Sequence, residues 1–235
     1  MEFQGAIIAA GRGERLRASS GVDLPKPLVE VGGVPLLARQ ANAMLAAGAS
    51  EVIAVVNSET AAMARGLSFP PALRIVVRDT ESSMESLFVL GESLRPGHFL
   101  LATVDAVVSA GEFQRFVAAA RTMTTDAQGF DGILAVVKWR GDHKPLFTEV
   151  TDAGLITSLG QRETALVTAG MYWLPTAIFR LCAAARERKL TALRAFLQML
   201  IDEKTRLGAV EVEGAIDIDE ASDLETARRI YAGSL

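Results

Sequence analysis

The stretch Ile8-Ala-Ala-Gly-Arg-Gly-Glu-Arg-Leu16, followed by Leu24-Pro-Lys-Pro-Leu28, decides the fold. Gly5 to Ala10 is a short apolar run without alternation, the pattern of a strand buried on both faces. It runs straight into Gly11 and Gly13. A buried strand ending in a glycine-containing loop is how an open α/β sheet presents a ligand site at the carboxyl edge of its strands. Gly11 and Gly13 let the main chain approach a ligand, with N–H groups offered to phosphate oxygens. Arg12, Arg15 and Lys26 add positive charge, and Pro25 and Pro27 hold Lys26 in an extended segment. Alone, a Gly-x-Gly loop after a strand is as readily a plain turn, and basic loop residues are ordinarily solvated. The Pro-Lys-Pro element ten residues on is what narrows the reading.

Outward from this segment, short apolar runs alternate with amphipathic stretches. Leu36 to Ala47 reads as a helix begun by Pro35 and ended by Gly48. Strands are expected at Glu51 to Val56, Leu73 to Val77, His98 to Val104 and Gly132 to Lys138, with helices at Ser58 to Gly66, Ser83 to Leu94 and Gly111 to Thr125. This alternation predicts βαβ units and a mainly parallel sheet covered on both faces. After Trp139 the rule changes. Leu146 to Val150, Leu155 to Leu159 and Leu166 to Leu174 are strand-like with no helix between them, and Asp152-Ala-Gly154 marks a turn. Helices at Thr176 to Arg188 and Thr191 to Lys204, an edge strand at Gly208 to Val212 and a last helix from Glu220 to about Ala232 follow. The expectation is one Rossmann-like, three-layer αβα domain over residues 1–235. Its sheet is mixed and mainly parallel, with a small, lid-like antiparallel insertion over about 139–174.

Bulk composition limits the alternatives. The chain has 235 residues, half of them apolar, and a formal net charge of −4. That suffices for a large core. It offers no basic face for nucleic acid and no basic helix for a membrane surface. Cys182 is the single cysteine, so neither an intramolecular disulfide nor a cysteine-rich zinc site is expected. His98 and His143 are too few for a histidine-based metal centre. The run Ala6 to Ala10 is too short for a signal peptide, and no stretch approaches a membrane span. A cytoplasmic protein is the default expectation.

Ala9-Ala-Gly-Arg-Gly-Glu-Arg-Leu16 together with Pro25-Lys-Pro-Leu-Val-Glu-Val-Gly-Gly-Val-Pro-Leu-Leu37 resembles the signature of the sugar-phosphate nucleotidyltransferases, within the MobA-like NTP-transferase superfamily. That pattern runs L-A-A-G-x-G-x-R-L, then P-K-P-L, then G-x-P-L-L. The resemblance implies a nucleotide site at Ala9, Ala10, Gly11, Arg12 and Gly13. Ala10 and Gly11 would meet base and ribose, Gly13 and Arg15 the β- and γ-phosphates, and Lys26 the α-phosphate. Position 14, often a small hydroxyl residue in the family, is Glu14 here.

Such transfer needs a divalent cation, because the triphosphate is polyanionic. Mg²⁺ is usually held by one or two carboxylates plus phosphates and waters. Asp105 ends the apolar run Phe99-Leu-Leu-Ala-Thr-Val-Asp105, where the family places a metal-binding aspartate, often after a glycine that is Val104 here. A plain cap or turn residue is the ordinary alternative. In Ala215-Ile-Asp-Ile-Asp-Glu-Ala-Ser-Asp-Leu224, which is similar to a family element D-x-D/G-T-P-E-D-L, Asp217 is assigned to the metal. Asp219 is read as the N-cap of the final helix, with Asp223 in its first turn. The family's Thr-Pro is Glu220-Ala221 here. Lys26, Arg15 and Asp105 form the expected catalytic set.

Ser82 and Ser83, in Arg78-Asp-Thr-Glu-Ser-Ser-Met-Glu-Ser-Leu87, are good N-cap types and also candidates for the nucleotide site. Gly170, in Thr168-Ala-Gly-Met-Tyr172, matches a family glycine that leaves room for the sugar. The Glu-Lys pair common after the family's d-x-x-G-x-I turn is missing after Asp152-Ala-Gly-Leu-Ile156. Arg162 is the candidate to bind the acceptor phosphate, with Lys144 as a second, although each is ordinarily a solvated base. The resemblance implies a nucleoside triphosphate and a phosphorylated small-molecule acceptor as partners, and Mg²⁺ as cofactor. A non-catalytic nucleotide-sensing domain of the same fold is the alternative. A dinucleotide-binding oxidoreductase is disfavoured, because Leu16 stands where a third glycine or alanine belongs.

Overall fold

In the computed structural model, residues 2–126, 129–141, 145–160 and 162–231 are described. Strand β1 (Phe3–Ala9) is buried at every position. It leads through Gly13, left-handed at φ 65°, into helix α1 (Glu14–Ser20). A 3₁₀ turn over Lys26–Leu28 precedes the hairpin of β2 (Glu30–Val31) and β3 (Val34–Pro35). Gly32 and Gly33 make its turn, both at positive φ, as a type I′ hairpin turn requires. Then come α2 (Leu36–Ala46), β4 (Ala49–Val56), α3 (Ser58–Met63), β5 (Leu73–Val77), α4 (Ser83–Gly91), β6 (His98–Thr103) and β7 (Ala106–Val107). The second half holds α5 (Ala110–Met123), β8 (Gly132–Lys138), β9 (Phe147–Val150), β10 (Ile156–Gly160) and β11 (Leu166–Pro175). It closes with α6 (Cys182–Glu187), α7 (Leu193–Asp202), β12 (Leu207–Glu211), β13 (Ile216–Asp217) and α8 (Ala221–Ile230).

Among the described residues nine strands share one sheet, in the order β10-β9-β11-β6-β1-β4-β5, with β8 also beside β11 and β12 beside β8. The run β6-β1-β4-β5 is parallel. Strand β11 is antiparallel to both β6 and β8. Alternate residues of the central strands feed two cores. Ile7, Val52, Ala54, Leu100 and Ala102 pack with Leu37 and Met44 of α2 and Phe113 and Phe116 of α5. Ala6, Ile8, Ile53, Val55 and Leu101 pack with Leu87 and Leu90 of α4 and Phe196 and Leu200 of α7. The mixed, mainly parallel three-layer architecture read from the sequence is what the chain adopts.

Some elements depart from the expectation. Glu14 to Ser20 is helical, not part of a loop; it buries only Leu16, so no apolar stripe announces it. The segment from Thr176 is a 3₁₀ helix to Leu181 and an α-helix only from Cys182. The antiparallel strands after Trp139 are no separate layer: β9 and β10 extend the main sheet and β11 runs through its middle. The pair β7–β13 joins residues far apart in sequence and forms a small sheet of its own.

Candidate active site

The carboxyl ends of β1, β4 and β6 open onto a cavity of about 760 Å³, bordered by the Ala9–Leu16 segment, Lys26, Asn57, the Asp79–Ser83 turn, Asp105 and Asp219. Its charged centre is Lys26, only 8% exposed. Lys26 Nζ donates to Asp105 Oδ2 and to Asp219 Oδ1, each at 2.9 Å. Arg15 Nη2 lies 2.8 Å from the other oxygen, Asp219 Oδ2. Burial alone would lower the Lys26 pKa; the two carboxylates outweigh it and hold the ammonium above its ordinary value. Burial would likewise raise Asp105, but Lys26, helped by the Thr103 hydroxyl, holds it below the usual carboxylate range.

Two elements deliver the acids. Strand β6 ends at Thr103 and β7 starts at Ala106, so Asp105 sits in the turn between them. Strand β13 pairs antiparallel with β7, Asp217 opposite Ala106, and the Ile218 N–H donates to the Asp105 carbonyl at 3.1 Å. One ligand oxygen from each of Asp105, Asp217 and Asp219 lies within 4.8 Å of the others. Burial, then the neighbouring Asp105 and Asp219 carboxylates, push Asp217 well above the usual carboxylate range. As a residue Asp217 is exposed, so crowding by like charge is the cause the geometry bears out most directly.

The N-cap reading of Asp219 is overturned. Glu220 caps α8, and the capping box closes with Asp223 at N3. Asp223 Oδ2 accepts from the N–H groups of both Asp219 and Glu220, at 3.1 and 2.9 Å. The cap lies one residue later than expected, and this frees the Asp219 carboxylate for Lys26 and Arg15.

The other candidates divide. Ala9, Ala10, Gly11, Arg12, Gly13, Ser82 and Ser83 all border the cavity. A Cβ on Gly11 would meet nothing within 4 Å, whereas one on Gly13 would lie 3.0 Å from Lys26 Cβ. Gly11 therefore leaves space for a ligand, and Gly13 is needed for its positive φ and its contact with Lys26. Arg12 points to solvent and pairs loosely with Glu14 at 3.8 Å. Ser82 Oγ caps α4 by accepting from the Glu85 N–H. Ser83 Oγ accepts from the Leu193 N–H, joining the starts of α4 and α7. Gly170 has φ 70°, and a Cβ there would lie 2.4 Å from Ala106 Cβ and 2.8 Å from Thr103 Oγ1. The Asp105 turn thus packs directly on Gly170 of β11. Arg162 is not brought to the cavity; it is exposed and pairs with Glu149 at 3.0 Å. His143 and Lys144 lie outside the described residues. His98 opens β6 and stacks on the buried Trp173.

Asn57 was not singled out from the sequence. It is buried at the end of β4, caps α3 through Thr60 N–H, and donates to the Ala10 carbonyl at 3.1 Å. A polar residue directly after an apolar strand was the available signal.

The glycine loop after the first strand, the lysine between paired carboxylates and the mixed sheet together define a nucleotidyltransferase-like domain. Residues 5–200 match the MobA-like NTP transferase domain, and the chain belongs to that family. The bifunctional protein GlmU of Anaeromyxobacter dehalogenans (strain 2CP-1 / ATCC BAA-258) is 27% identical over 97% of this chain and 49% of its own length. A mannose-1-phosphate guanyltransferase of Candida albicans is 42% identical over 23% of this chain and 15% of its own. The chain thus spans about half the length of the GlmU relative and a small part of the guanyltransferase. Among solved structures, the inositol-1-phosphate CTP transferase of T. maritima superposes with a TM-score of 0.79 at 18% identity, covering 100% of this chain and 98% of that one. A UDP-glucose pyrophosphorylase complexed with UDP-glucose gives 0.79 at 13% identity, covering 98% of each.

Proposed function

We propose that the chain is a Mg²⁺-dependent nucleotidyltransferase. It joins a nucleoside monophosphate, taken from a nucleoside triphosphate, to a small phosphorylated acceptor, typically a sugar phosphate, and releases pyrophosphate. The observation that carries this is the bridge of Lys26 between Asp105 and Asp219 beside a strand-end cavity faced by the glycine loop. Family membership supports the same chemistry. The acidic cluster and its lysine are both in place, and no observation favours the nucleotide-sensing alternative. A cytoplasmic setting goes with this reading; among the described residues no helix is long and apolar enough to cross a membrane.

The acidic cluster fits Mg²⁺. All donors are hard oxygens, and ligands about 2.1 Å from one ion stand no more than about 4.2 Å apart. The three carboxylate oxygens lie within 4.8 Å of one another, close enough to converge on one ion. Asp105, Asp217 and Asp219 would hold the ion, which supplies charge neutralisation at the phosphates. Asp217, crowded by the Asp105 and Asp219 carboxylates, gains most from a cation.

The chain's own residues do the rest. Gly11 and Gly13 admit the nucleotide to the main chain. Lys26 and Arg15 neutralise the charge that develops as the acceptor phosphate attacks the α-phosphorus in line and the bond to pyrophosphate breaks. A phosphate monoester is already a competent nucleophile, so no general base is needed. Positioning supplies much of the acceleration. The test is thermal stabilisation by the five common nucleoside triphosphates, with and without Mg²⁺, followed by pyrophosphate release with sugar phosphates. A Mg²⁺-dependent shift with one triphosphate and release on adding an acceptor are expected. No shift with any triphosphate and no release would overturn the reading.

A further inference from the structure

Helix α2 buries Leu36, Leu37, Ala41 and Met44, and in the midst of this apolar face it also buries Gln40, 2% exposed. A carboxamide is costly there unless its hydrogen bonds are made. Gln40 Nε2 donates to the carbonyl of Thr103 at 3.2 Å and, in a short contact, to the carbonyl of Ala106. Both partners are acceptors only, so the amide orientation follows from chemistry. Thr103 ends β6 and Ala106 opens β7, so the side chain spans the base of the turn that carries Asp105. The other side of that turn is fastened by the Ile218 N–H, which donates to the Asp105 carbonyl.

We infer that Gln40 is a positioning residue for nucleotidyl transfer: its carboxamide fixes the two ends of the Thr103–Ala106 turn and so sets where the Asp105 carboxylate stands. Gln40 touches neither the carboxylate nor the cavity and acts only through the main chain. The inference rests on the function proposed above. It also gives the helix after Gly33-Val-Pro-Leu-Leu37 a task in the site, beyond covering the sheet.

The test is Gln40→Met, which fills the same space without a donor. Amide hydrogen exchange should quicken at residues 104–107 and stay unchanged in β1. Mn²⁺ binding with nucleoside triphosphate, read by EPR without turnover, should weaken about tenfold, as for other outer-shell partners of metal ligands. Turnover should fall roughly 10–100-fold, with KM for the triphosphate changed less than about threefold. A variant that matches the wild type in local exchange, Mn²⁺ binding and turnover per folded molecule overturns the inference and leaves the proposed function standing. Wild-type protein that binds no Mn²⁺ with any triphosphate and turns over none overturns both. If the variant does not fold, the wild-type Gln40 side-chain NH₂ signals decide by NMR. Slow exchange supports the clamp, and exchange at the solvent rate overturns it.

Discussion

Gly170 and Ala106 are in such close contact that a Cβ on the glycine would stand 2.4 Å from the alanine's own. The packing of β11 against the Asp105 turn, more than space for a sugar, is what demands glycine. Gly170→Ala should cost about 2–4 kcal/mol, from left-handed backbone strain and overpacking together. Chemical denaturation measures it. A loss under about 0.5 kcal/mol would show that the turn shifts at little cost, and activity should then be nearly normal.

Asp105→Asn removes the charge that Lys26 pairs with and that, in the proposed mechanism, the cation would share. Several kcal/mol of charge stabilisation correspond to a turnover loss of at least about a hundredfold. Asp217→Asn and Asp219→Asn should each lower turnover and raise the Mg²⁺ concentration needed for half activity. Unchanged turnover in Asp105→Asn would remove it from the catalytic set.

Asp223 acts twice, as part of the α8 cap and as the acceptor for the Asp219 N–H. Asp223→Ala should lose about 1 kcal/mol of stability and also lower turnover, because the Asp219 main chain is released. Asp223→Asn keeps an acceptor and should recover most of both. Stability lost with full turnover retained would confine Asp223 to the helix end.

Glu112 accepts from Arg115 Nε and Nη2, at 3.0 and 2.6 Å, and from the Glu213 N–H at 2.7 Å, tying α5 to the chain after β12. The Arg115 hydrogen bonds outweigh burial and hold its carboxyl below the ordinary glutamate value. A depressed folded-state pKa gives stability that is full above the unfolded value of about 4.3 and is lost as pH falls through the folded value. Glu112→Gln should therefore be about 1 kcal/mol less stable than wild type at pH 7, a figure kept low for a pair near the surface. The gap should close as pH falls below the folded value; a gap independent of pH would assign it to packing instead.

The strands and the singling out of Lys26 were legible because their signals are local: an unbroken apolar run, glycines at its end, prolines flanking one lysine; the conformation there was not, since the segment expected to be extended is a 3₁₀ turn over Lys26–Leu28. Helix α1 was not, since only Leu16 of its seven residues is buried. The β7–β13 pair was invisible for another reason, since two-residue strands carry no periodicity and partners so distant leave no local trace. Asp219 shows the resolution of such reading. Three acids within five positions, Asp219, Glu220 and Asp223, all suit a helix start, and only the three-dimensional register shows that Glu220 caps. Gln40 did leave a sign, a polar residue on an apolar stripe, which reading for helix periodicity passes over.

The reach of Lys26 across the chain has a kinetic consequence. Its two carboxylate partners lie 79 and 193 positions away. The segment common to the family ends at residue 200, before Asp217 and Asp219. During synthesis the parallel core can therefore assemble while the acidic cluster is still missing one side. Long-range closure of this kind is slow and comes late, so nucleotide handling would begin only once the last strand pair had locked, and a nascent chain would be structured well before it was active.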